Sequence, residues 1–460
     1  MGVFLLPPEP VTSVDAWVAM GGGEGLAQAH ANGPEWVIDE IGAAGLRGRG
    51  GGGFPTVRKW AGVRSQTGTH HFAVCNAAEG EPATFKDRAL LRANPYQLVE
   101  GLAIAAFAVG AREAYIGIKA SFRWEILALE AAVDEMAKAG LAGDVPITIV
   151  QGPDEYLFGE EKALLEVIEG RPPMPRLLPP FEHGLFAVAP QMGWEATTPA
   201  PGHAERDSSN PTLVNNCETL CNVPWILSRG PGWFRSMGTE ESPGTVVATI
   251  VGDVARPGYG EVEMGTPLRQ VIDEVGGGLR PERAFKAALS GISNPVLTAD
   301  RVDAPLSYEG MAAARTGLGA AGFAVYDDTA CMVSVAHHVS RFLWVESCGQ
   351  CPPCKLGTGE ITERLAAIDE CRGGDDDIEA IGGRLPKVTD GNRCYLPVEE
   401  QVVISSLMRA FPEEFLAHVD GRCDHQRSGL GVPKIADLAD GVVTYDEKQA
   451  RKNPDWTYST

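Results

Sequence analysis

Apolar runs alternate with amphipathic stretches between residues 70 and 230. The predicted strands are His71–Asn76, Ala114–Ile118 and Ile147–Gln151, and the predicted helices are Arg88–Gly110 and Phe122–Gly140. Short apolar strands that alternate with helices are typical of layered α/β domains. This part of the chain is therefore predicted to hold a sheet covered by helices.

The pattern changes on both sides of this region. Residues 1–65 favour helical segments that end in a glycine-rich loop. Residues 244–254 are β-branched and predict a strand that opens a small mixed unit ending near residue 325. Beyond it, the predicted helices are Cys331–Trp344, Thr358–Cys371 and Val398–Arg409, and the polar tail after residue 425 is expected to lie along the surface. The predicted divisions are 1–70, 71–240, 241–325, 326–425 and 426–460.

Composition and charge exclude several classes of function. A chain of 460 residues with 44% hydrophobic and 22% charged residues is expected to form several globular domains. Its most apolar stretch, Leu98–Val109, is too short for a membrane helix and contains the acidic residue Glu100. The net charge of −22 argues against nucleic acid as a partner, because phosphate binding needs a basic surface. We therefore expect neither nucleic-acid binding nor direct membrane insertion.

Three of the ten cysteines form one short run. The N-terminal residues do not resemble a signal peptide, which favours a reducing compartment and a metal site over disulfides. Cys348, Cys351 and Cys354 stand at i, i+3 and i+6, a spacing that favours a [4Fe-4S] cluster, with Cys394 as the fourth ligand. A structural zinc site is the alternative, and Cys371 is the second choice for the fourth ligand. The remaining thiols are expected to be buried or incidental: Cys75, Cys217, Cys221, Cys331, Cys371 and Cys423.

The run Gly45–Thr56 (GLRGRGGGGFPT) combines glycines with cationic residues. Glycines let the backbone N–H groups approach a ligand closely, and Arg47, Arg49 and nearby Lys59 add positive charge. This combination suits a phosphate or pyrophosphate, although the run is neither a P-loop nor a dinucleotide fingerprint. A flexible surface loop is the alternative.

Five segments together resemble the NADH-binding, flavin-carrying subunit family of respiratory complex I and its relatives, the diaphorase subunits of NAD-linked hydrogenases and formate dehydrogenases. The segments are GLRGRGGGGFPT (45–56), CNAAEGEPATFKDR (75–88), YLFGEEKALL (156–165), PTLVNNCET (211–219) and ESCGQCPPC (346–354). They resemble GLRGRGGAGFPT, CNADExEPGTFKDR, YICGEETALL, PTTVNNVET and ESCGQCTPC, in the same order. The resemblance runs from about residue 12 to residue 425.

The resemblance implies a Rossmann-like α/β flavin domain, a β-grasp (ubiquitin-like, SLBB-like) domain and a C-terminal helical bundle with an iron-sulfur cluster. It implies that flavin mononucleotide (FMN) contacts Gly48, Arg49, Gly50, Lys59, Asn76, Glu79, Gly80, Gly159, Glu160, Asn215, Asn216 and Thr219. It implies that NAD(H) contacts Gly51, Phe54, Glu81, Tyr156, Glu161 and Phe181, of which Glu81 and Glu161 are the catalytic candidates. The implied activity is electron transfer from NADH through FMN to the [4Fe-4S] cluster, or the reverse transfer that reduces NAD+, with the cofactors supplying the chemistry.

The chain also departs from the family pattern. Ala78 replaces an aspartate, Lys162 replaces a threonine, and Cys394 has different neighbours. An additional stretch, roughly Val188–Ser209, is expected to form a loop near the flavin or a partner surface. These changes leave open a non-catalytic iron-sulfur conduit or scaffold with a decayed flavin site. A β-grasp ligand-binding module is a further alternative, which would explain only residues 244–325.

The resemblance also implies partners and a location. We recognise no counterpart of the ferredoxin-like and thioredoxin-like segments of some relatives in residues 1–460, and we expect other subunits to supply them. The chain is therefore expected to need a [2Fe-2S] thioredoxin-like subunit and further redox subunits, in the cytoplasm or peripheral to a membrane complex.

Overall fold

The computed structural model describes residues 4–66, 70–188, 209–423 and 431–459. The chain forms two compact units. The first comprises Met1–Glu79 and Lys86–Val246, and the second comprises Gly80–Phe85 and Val247–Thr460. Among the described residues, no helix combines the length and the apolar character needed to span a bilayer. Most of the additional stretch, residues 189–208, lies outside the described residues.

The first unit contains a parallel sheet of four strands. They are β1 (His71–Ala77), β2 (Ala111–Lys119), β3 (Ile147–Gly152) and β4 (Thr212–Asn216), in the spatial order β3-β2-β1-β4. The predicted strands are confirmed, and β4 is added to them. Because the chain continues from β1 to β2 on one side and places β4 on the other, the strand order reverses at β1. Such a reversal opens a crevice at the carboxyl ends of the strands.

Ten helices accompany this sheet in the described part of the first unit. They are α1 (Val14–Ala19), α2 (Glu24–Asn32), α3 (Pro34–Ala44), α4 (Thr56–Arg64), α5 (Lys86–Ala93), α6 (Pro95–Val109), α7 (Arg123–Ala139), α8 (Glu161–Ile168), α9 (Cys217–Arg229) and α10 (Pro231–Arg235). The single helix predicted over residues 88–110 is wrong, since Asn94 divides it. Asn94 caps α6 by accepting the backbone N–H of Gln97, and Pro95 occupies the first turn, where a missing N–H costs nothing.

The second unit begins with a mixed sheet of five strands. They are β5 (Thr245–Gly252), β6 (Gly258–Glu263), β7 (Phe285–Ser290), β8 (Leu297–Thr298) and β9 (Gly322–Asp327), in the order β6-β5-β9-β7-β8. Helix α11 (Leu268–Gly276) and helix α12 (Tyr308–Ala313) belong to this part. The predicted strand over residues 244–254 is confirmed.

The rest of the second unit is mainly helical. Its helices are α13 (Met332–Glu346), α14 (Pro352–Asp369), α15 (Asp375–Arg384), α16 (Leu396–Ala410) and α17 (Pro412–Val419). Helix α14 starts six residues before the predicted Thr358. Two prolines follow its N-cap residue Cys351, and proline suits the first turn of a helix because its fixed φ is helical.

The C-terminal tail corrects one expectation. Rather than only lying along the surface, it forms the antiparallel pair β10 (Ile435–Ala439) and β11 (Val442–Tyr445). The side chain of Lys452 is fully buried and pairs with Glu346 at 2.7 Å. The tail is therefore part of the packed second unit.

Candidate functional site

The glycine-rich run folds back on itself. The Gly48 N–H donates to the Phe54 carbonyl at 2.9 Å, and the Thr56 N–H donates to the Leu46 carbonyl at 3.0 Å. The Arg47 guanidinium donates to the Gly53 carbonyl at 2.8 Å. These bonds close a narrow loop whose tip is residues 49–53.

The tip presents backbone rather than side chains. A Cβ added at Gly51 or Gly52 would meet nothing within 4 Å, whereas one added at Gly50 would lie 2.9 Å from the Cβ of Asn216. Gly51 also has a φ of +121°, which side-chain-bearing residues rarely adopt. The tip therefore packs on one side and leaves open space on the other, as a phosphate-binding loop requires.

Arg49 anchors this loop from within. Its side chain is buried, and its Nε and Nη2 donate to the carbonyls of Thr245 and Pro243 at 3.2 and 3.0 Å. Its backbone N–H donates to Thr219 Oγ1 at 2.8 Å. The guanidinium is thus bound to backbone carbonyls that hold the loop in place.

Three asparagines mark the crevice where the strand order reverses. Asn76, near the end of β1, lies opposite Asn216 on β4, and the preceding Asn215 lies opposite Cys75. Asn215 Oδ1 accepts the Trp60 indole N–H at 2.8 Å. Asn216 is the N-cap of α9, where its side chain accepts the backbone N–H two residues further on. Amide side chains at this edge can donate to and accept from a polar ligand.

Asn76 connects the crevice to the loop that precedes α8, residues 156–161. Its Nδ2 donates to the Gly159 carbonyl at 2.7 Å, and its Oδ1 accepts the Ala78 N–H at 3.2 Å. A Cβ at Gly159 would lie 3.1 Å from the Ala78 carbonyl oxygen, so glycine permits this close approach. These contacts use the backbone of Ala78, so they do not depend on the aspartate side chain that the family pattern has at this position.

The paired glutamates that follow have different environments. Glu160 caps α8 by accepting the N–H groups of Lys162 and Ala163, and burial raises the pKa of its carboxyl to about 7. Glu161 is more exposed and pairs with Lys59 Nζ at 2.7 Å. Lys59 also donates to the Val214 carbonyl at 2.8 Å, so this cation stands beside the end of β4.

A buried charged cluster supports the floor of the crevice. Lys86 Nζ lies 2.7 Å from Asp87 and 3.0 Å from Glu218. It also donates to Asn216 Oδ1 at 3.0 Å, which holds that amide in place. Burial lowers the pKa of the Lys86 ammonium, but the adjoining carboxylates outweigh it and the net pKa is raised. Lys86 therefore remains a cation beneath the asparagines.

The remaining site candidates divide between the two units. Glu79 is fixed in the first unit by Arg88 Nε at 2.8 Å and by the Asp87 N–H at 3.0 Å. Gly80 and Glu81 belong to the second unit, where Glu81 accepts the Ile292 N–H at 2.8 Å.

The aromatic candidates are accessible. Phe54 and Phe181 are 54% and 42% exposed, which leaves ring faces available for stacking on a planar ligand. Tyr156 opens a short 3-10 helix, Tyr156–Gly159, and is partly buried. These rings therefore satisfy one requirement of a nucleotide site.

The cysteine run lies in the second unit between α13 and α14. Cys348 and Cys351 are partly exposed, and Cys354 is buried in the first turn of α14. Lys355 Nζ donates to the carbonyls of Trp344 and Ser347 at 3.0 and 2.8 Å, which ties the run to the end of α13.

Hydrogen-bond donors surround these sulfurs. Gln350 Nε2 donates to Cys348 Sγ at 3.6 Å, and Ser347 Oγ lies 3.3 Å from Cys354 Sγ. Burial raises the pKa of the Cys354 thiol to about 12, so its thiolate needs a neighbouring positive charge such as iron. Cys394 lies two residues before α16, which packs against α13 and α14. This donor set fits an iron-sulfur cluster.

A further group of possible ligands has almost no signal in the sequence. The ligand atoms of Cys331, His418 and Cys423 all lie within 4.8 Å of one another. From the sequence alone, both cysteines are expected to be buried or incidental, and His418 has no predicted role. The spacing of His418 and Cys423, five residues apart, is the only local sign of this group, because Cys331 comes from a distant helix.

Comparison with known proteins agrees with this architecture. Residues 41–225 match the Nuo51 FMN-binding domain, residues 247–291 match the SLBB domain, and residues 334–418 match the NADH-ubiquinone oxidoreductase-F iron-sulfur binding region. The predicted α/β flavin domain, SLBB-like domain and helical cluster domain are therefore confirmed, as are FMN, NAD(H) and a [4Fe-4S] cluster as cofactors.

Relatives match over most of the chain. An NADH-quinone oxidoreductase subunit of Streptomyces coelicolor is 37% identical over 89% of this chain and 89% of the relative. A corresponding NADH-quinone oxidoreductase subunit of Rhizobium meliloti is 35% identical over 85% and 90%, and the NADP-reducing hydrogenase subunit HndC of Solidesulfovibrio fructosivorans is 36% identical over 89% and 81%. The structure of an NAD+-reducing [NiFe]-hydrogenase in the H2-reduced state matches with a TM-score of 0.77 and 31% identity, over 91% of this chain and 68% of that one. The chain belongs to the family of NADH-oxidising, FMN- and [4Fe-4S]-carrying subunits found in respiratory complex I and in NAD-linked hydrogenases.

Proposed function

We propose that this chain is the electron-input subunit of a multisubunit redox complex, in which NADH is oxidised at FMN and the electrons leave through the cluster on Cys348, Cys351, Cys354 and Cys394. FMN, when bound, supplies two-electron exchange with the nicotinamide and one-electron exchange with the cluster. The observation that carries the proposal is the open glycine tip beside Asn76 and Asn216, at the reversal of strand order. No protein nucleophile is required.

Different residues of the first unit are assigned to different parts of the flavin. The backbone of residues 48–51 and the cation of Lys59 are assigned to phosphate, with Arg49 and Thr219 holding the loop. The amides of Asn76, Asn215 and Asn216 are assigned to the polar atoms of the ribityl chain and ring. Glu79, Gly159 and Glu160 are assigned to the same cofactor, whereas the role of Gly80 stays a prediction from the family resemblance.

NAD(H) is assigned to the loop tip and to accessible aromatic groups of the first unit. Phe54, Phe181 and Tyr156 offer ring faces, and Gly51 leaves open space at the tip. Glu161 is the carboxylate of the first unit that is assigned to orient the dinucleotide, whereas the role of Glu81 stays a prediction from the family resemblance. Glu161 is held by Lys59 at 2.7 Å, which fixes the direction of its carboxylate.

The alternative of a decayed flavin site is less well supported. Lys162 directs its backbone N–H to Glu160 Oε2 at 2.9 Å, and its ammonium lies 4.0 Å from Glu160 Oε1. The Lys162 side chain therefore lies beside the Glu160 carboxylate. Ala78 also retains the Asn76 connection. At both positions the backbone hydrogen bonds are made with the residue that is present.

We also propose a [2Fe-2S] subunit as the neighbouring partner, and the cytoplasm, including the cytoplasmic side of a membrane complex, as the location. Relatives are named as subunits of quinone oxidoreductases and hydrogenases, which supports partner redox subunits. The ten cysteines, all of which fall within the described residues, form no disulfide with one another, and a reducing compartment maintains this condition.

The test is NADH-dependent reduction of ferricyanide by the full chain reconstituted with FMN. We expect activity in the wild type, loss of FMN and activity in Asn76→Ala, and no change in the exposed control Asn32→Ala. A brown wild-type protein that binds no flavin would favour the conduit alternative. Bound FMN without NADH-dependent reduction would contradict the proposed activity.

A further inference from the structure

A second group of sulfur and nitrogen ligands lies in the helical part of the second unit. Cys331 is the N-cap residue of α13, His418 is in the last turn of α17, and Cys423 follows that helix. Cys331 Sγ lies 3.3 Å from His418 Nε2, and the three ligand atoms fall within 4.8 Å of one another. Cys331 and His418 are 0% and 1% exposed.

The histidine is oriented as a metal ligand. Its Nδ1 lies 3.1 Å from the Ile368 carbonyl, at the end of α14. A carbonyl only accepts, so Nδ1 carries the hydrogen, and in the neutral ring Nε2 presents a lone pair. Nε2 is the nitrogen that faces Cys331. A ligating histidine whose other nitrogen donates to a backbone carbonyl is the usual outer-shell arrangement at metal sites.

From this geometry we propose that Cys331, His418 and Cys423 bind one zinc ion. Zinc binds thiolate at about 2.3 Å and imidazole at about 2.0 Å, so tetrahedral ligand atoms lie roughly 3.5–3.8 Å apart. The distance of 3.3 Å between Cys331 Sγ and His418 Nε2 is close to this range, and the upper limit of 4.8 Å on all three separations allows a single ion. Two thiolates and one imidazole are the ligand types that select zinc over magnesium or calcium. Cys371 Sγ lies 3.8 Å from Nδ1, on the other side of the ring, and is not assigned as a ligand.

The position separates this site from the iron-sulfur cluster. Helix α13 has 15 residues and therefore spans about 22 Å. Cys331 precedes its first residue, whereas Cys348 follows its last residue. Zinc has no redox chemistry and would not carry electrons. Instead, it would join the start of α13 to the end of α17 and to the chain that follows.

The test is metal analysis of the full chain, purified without chelator from zinc-supplemented medium and loaded with its cluster. We expect about one zinc per chain in addition to cluster iron. Cys331→Ser, His418→Gln and Cys423→Ser are each expected to lose the zinc while cluster absorbance persists. The matched control is His337→Gln on α13, whose ring pairs with Asp369, and it should keep the zinc.

Two results would overturn the proposal. One is wild-type protein with a full cluster and no zinc above the background. The other is zinc that persists in all three ligand variants and falls only with Cys348→Ser, which would place it on the cluster cysteines. Cobalt substitution of wild-type protein serves if the variants fail to fold. A thiolate-to-cobalt charge-transfer band and a tetrahedral d–d spectrum are expected beside the cluster, and their absence would contradict the site.

Discussion

Lys452 Nζ lies 2.7 Å from Glu346 Oε2, and both side chains are fully buried. The pair joins the C-terminal tail to the last residue of α13, two positions before Cys348. Gln449 Nε2 also donates to Glu346 Oε1 at 3.0 Å, and Lys355 Nζ donates to the Pro454 carbonyl at 2.5 Å. The tail therefore braces the loop that carries the cluster cysteines.

Lys452→Met should destabilise the second unit and loosen the cluster. It leaves the Glu346 carboxylate buried without its cation, which costs about 3–5 kcal/mol. The measurements are the thermal unfolding midpoint and iron retention over time. Lys448→Met, an exposed lysine of the same segment, is the control and should change neither. Faster loss of iron from the control, or none from Lys452→Met, would contradict a bracing role.

Arg49→Lys should lower both stability and affinity for FMN. A lysine ammonium cannot span the carbonyls of Pro243 and Thr245 as the guanidinium does, and losing these bonds costs on the order of 1–3 kcal/mol. We expect FMN affinity, measured by fluorescence titration, to fall about tenfold or more, which corresponds to roughly 1.4 kcal/mol. The exposed Arg58→Lys is the control. If the unfolding midpoint without FMN is unchanged in Arg49→Lys, the arginine acts on the phosphate directly rather than through the loop.

Cys394→Ala should remove the cluster and spare the flavin. The thiolate is the proposed fourth ligand, and a cluster with three protein ligands is expected to be lost or degraded during purification. Iron content and visible absorbance report the cluster, and FMN content reports the first unit. Four irons per chain in this variant would contradict Cys394 as a ligand. Cys371, the second choice from the sequence, cannot replace it, because it follows the far end of α14, an 18-residue helix about 27 Å long whose first turn holds Cys354.

Local patterns in the sequence predicted much of the fold. Strands β1, β2 and β3 are continuous apolar runs that need no distant partner to be recognised. The break between α5 and α6 at Asn94 also has a local signal, an asparagine before a proline. It is missed because the apolar pattern continues through this position. Motif residues such as Asn76 and Asn216 are site candidates because their segments resemble those of a family.

Contacts between distant segments could not be predicted in this way. The sequence alone predicts that Arg49 contacts a phosphate, but its guanidinium donates to the carbonyls of Pro243 and Thr245, almost 200 positions away. From the sequence alone, Lys452 is expected at the surface because it belongs to a polar tail, but its side chain is buried against Glu346. Cys331 and His418 are separated by 87 positions. Each of these contacts depends on tertiary packing, and no periodic pattern near either residue in the sequence indicates it.

Glu400 gives a prediction for pH dependence. It lies on α16, is fully buried, and accepts the Ser340 hydroxyl at Oε1 at 2.6 Å. Among the described residues, its Oε2 has no hydrogen-bond partner. Burial raises the pKa of this carboxyl from 4.5 to about 8. The folded state therefore holds a proton that the unfolded state releases above about pH 4.5.

This proton determines how the stability of the folded state changes with pH. The contribution of Glu400 to stability is fully present below pH 4.5 and is lost as the pH rises toward 8. Glu400→Gln keeps an oxygen for Ser340 and removes the ionisation, so its unfolding midpoint should fall less than that of the wild type between pH 5 and pH 8. The measurement is thermal unfolding of the cluster-loaded chain at several pH values, with the exposed Glu413→Gln as the control. Parallel pH profiles for the wild type and Glu400→Gln would mean that the carboxyl is already ionised in the folded chain, stabilised by groups other than Ser340.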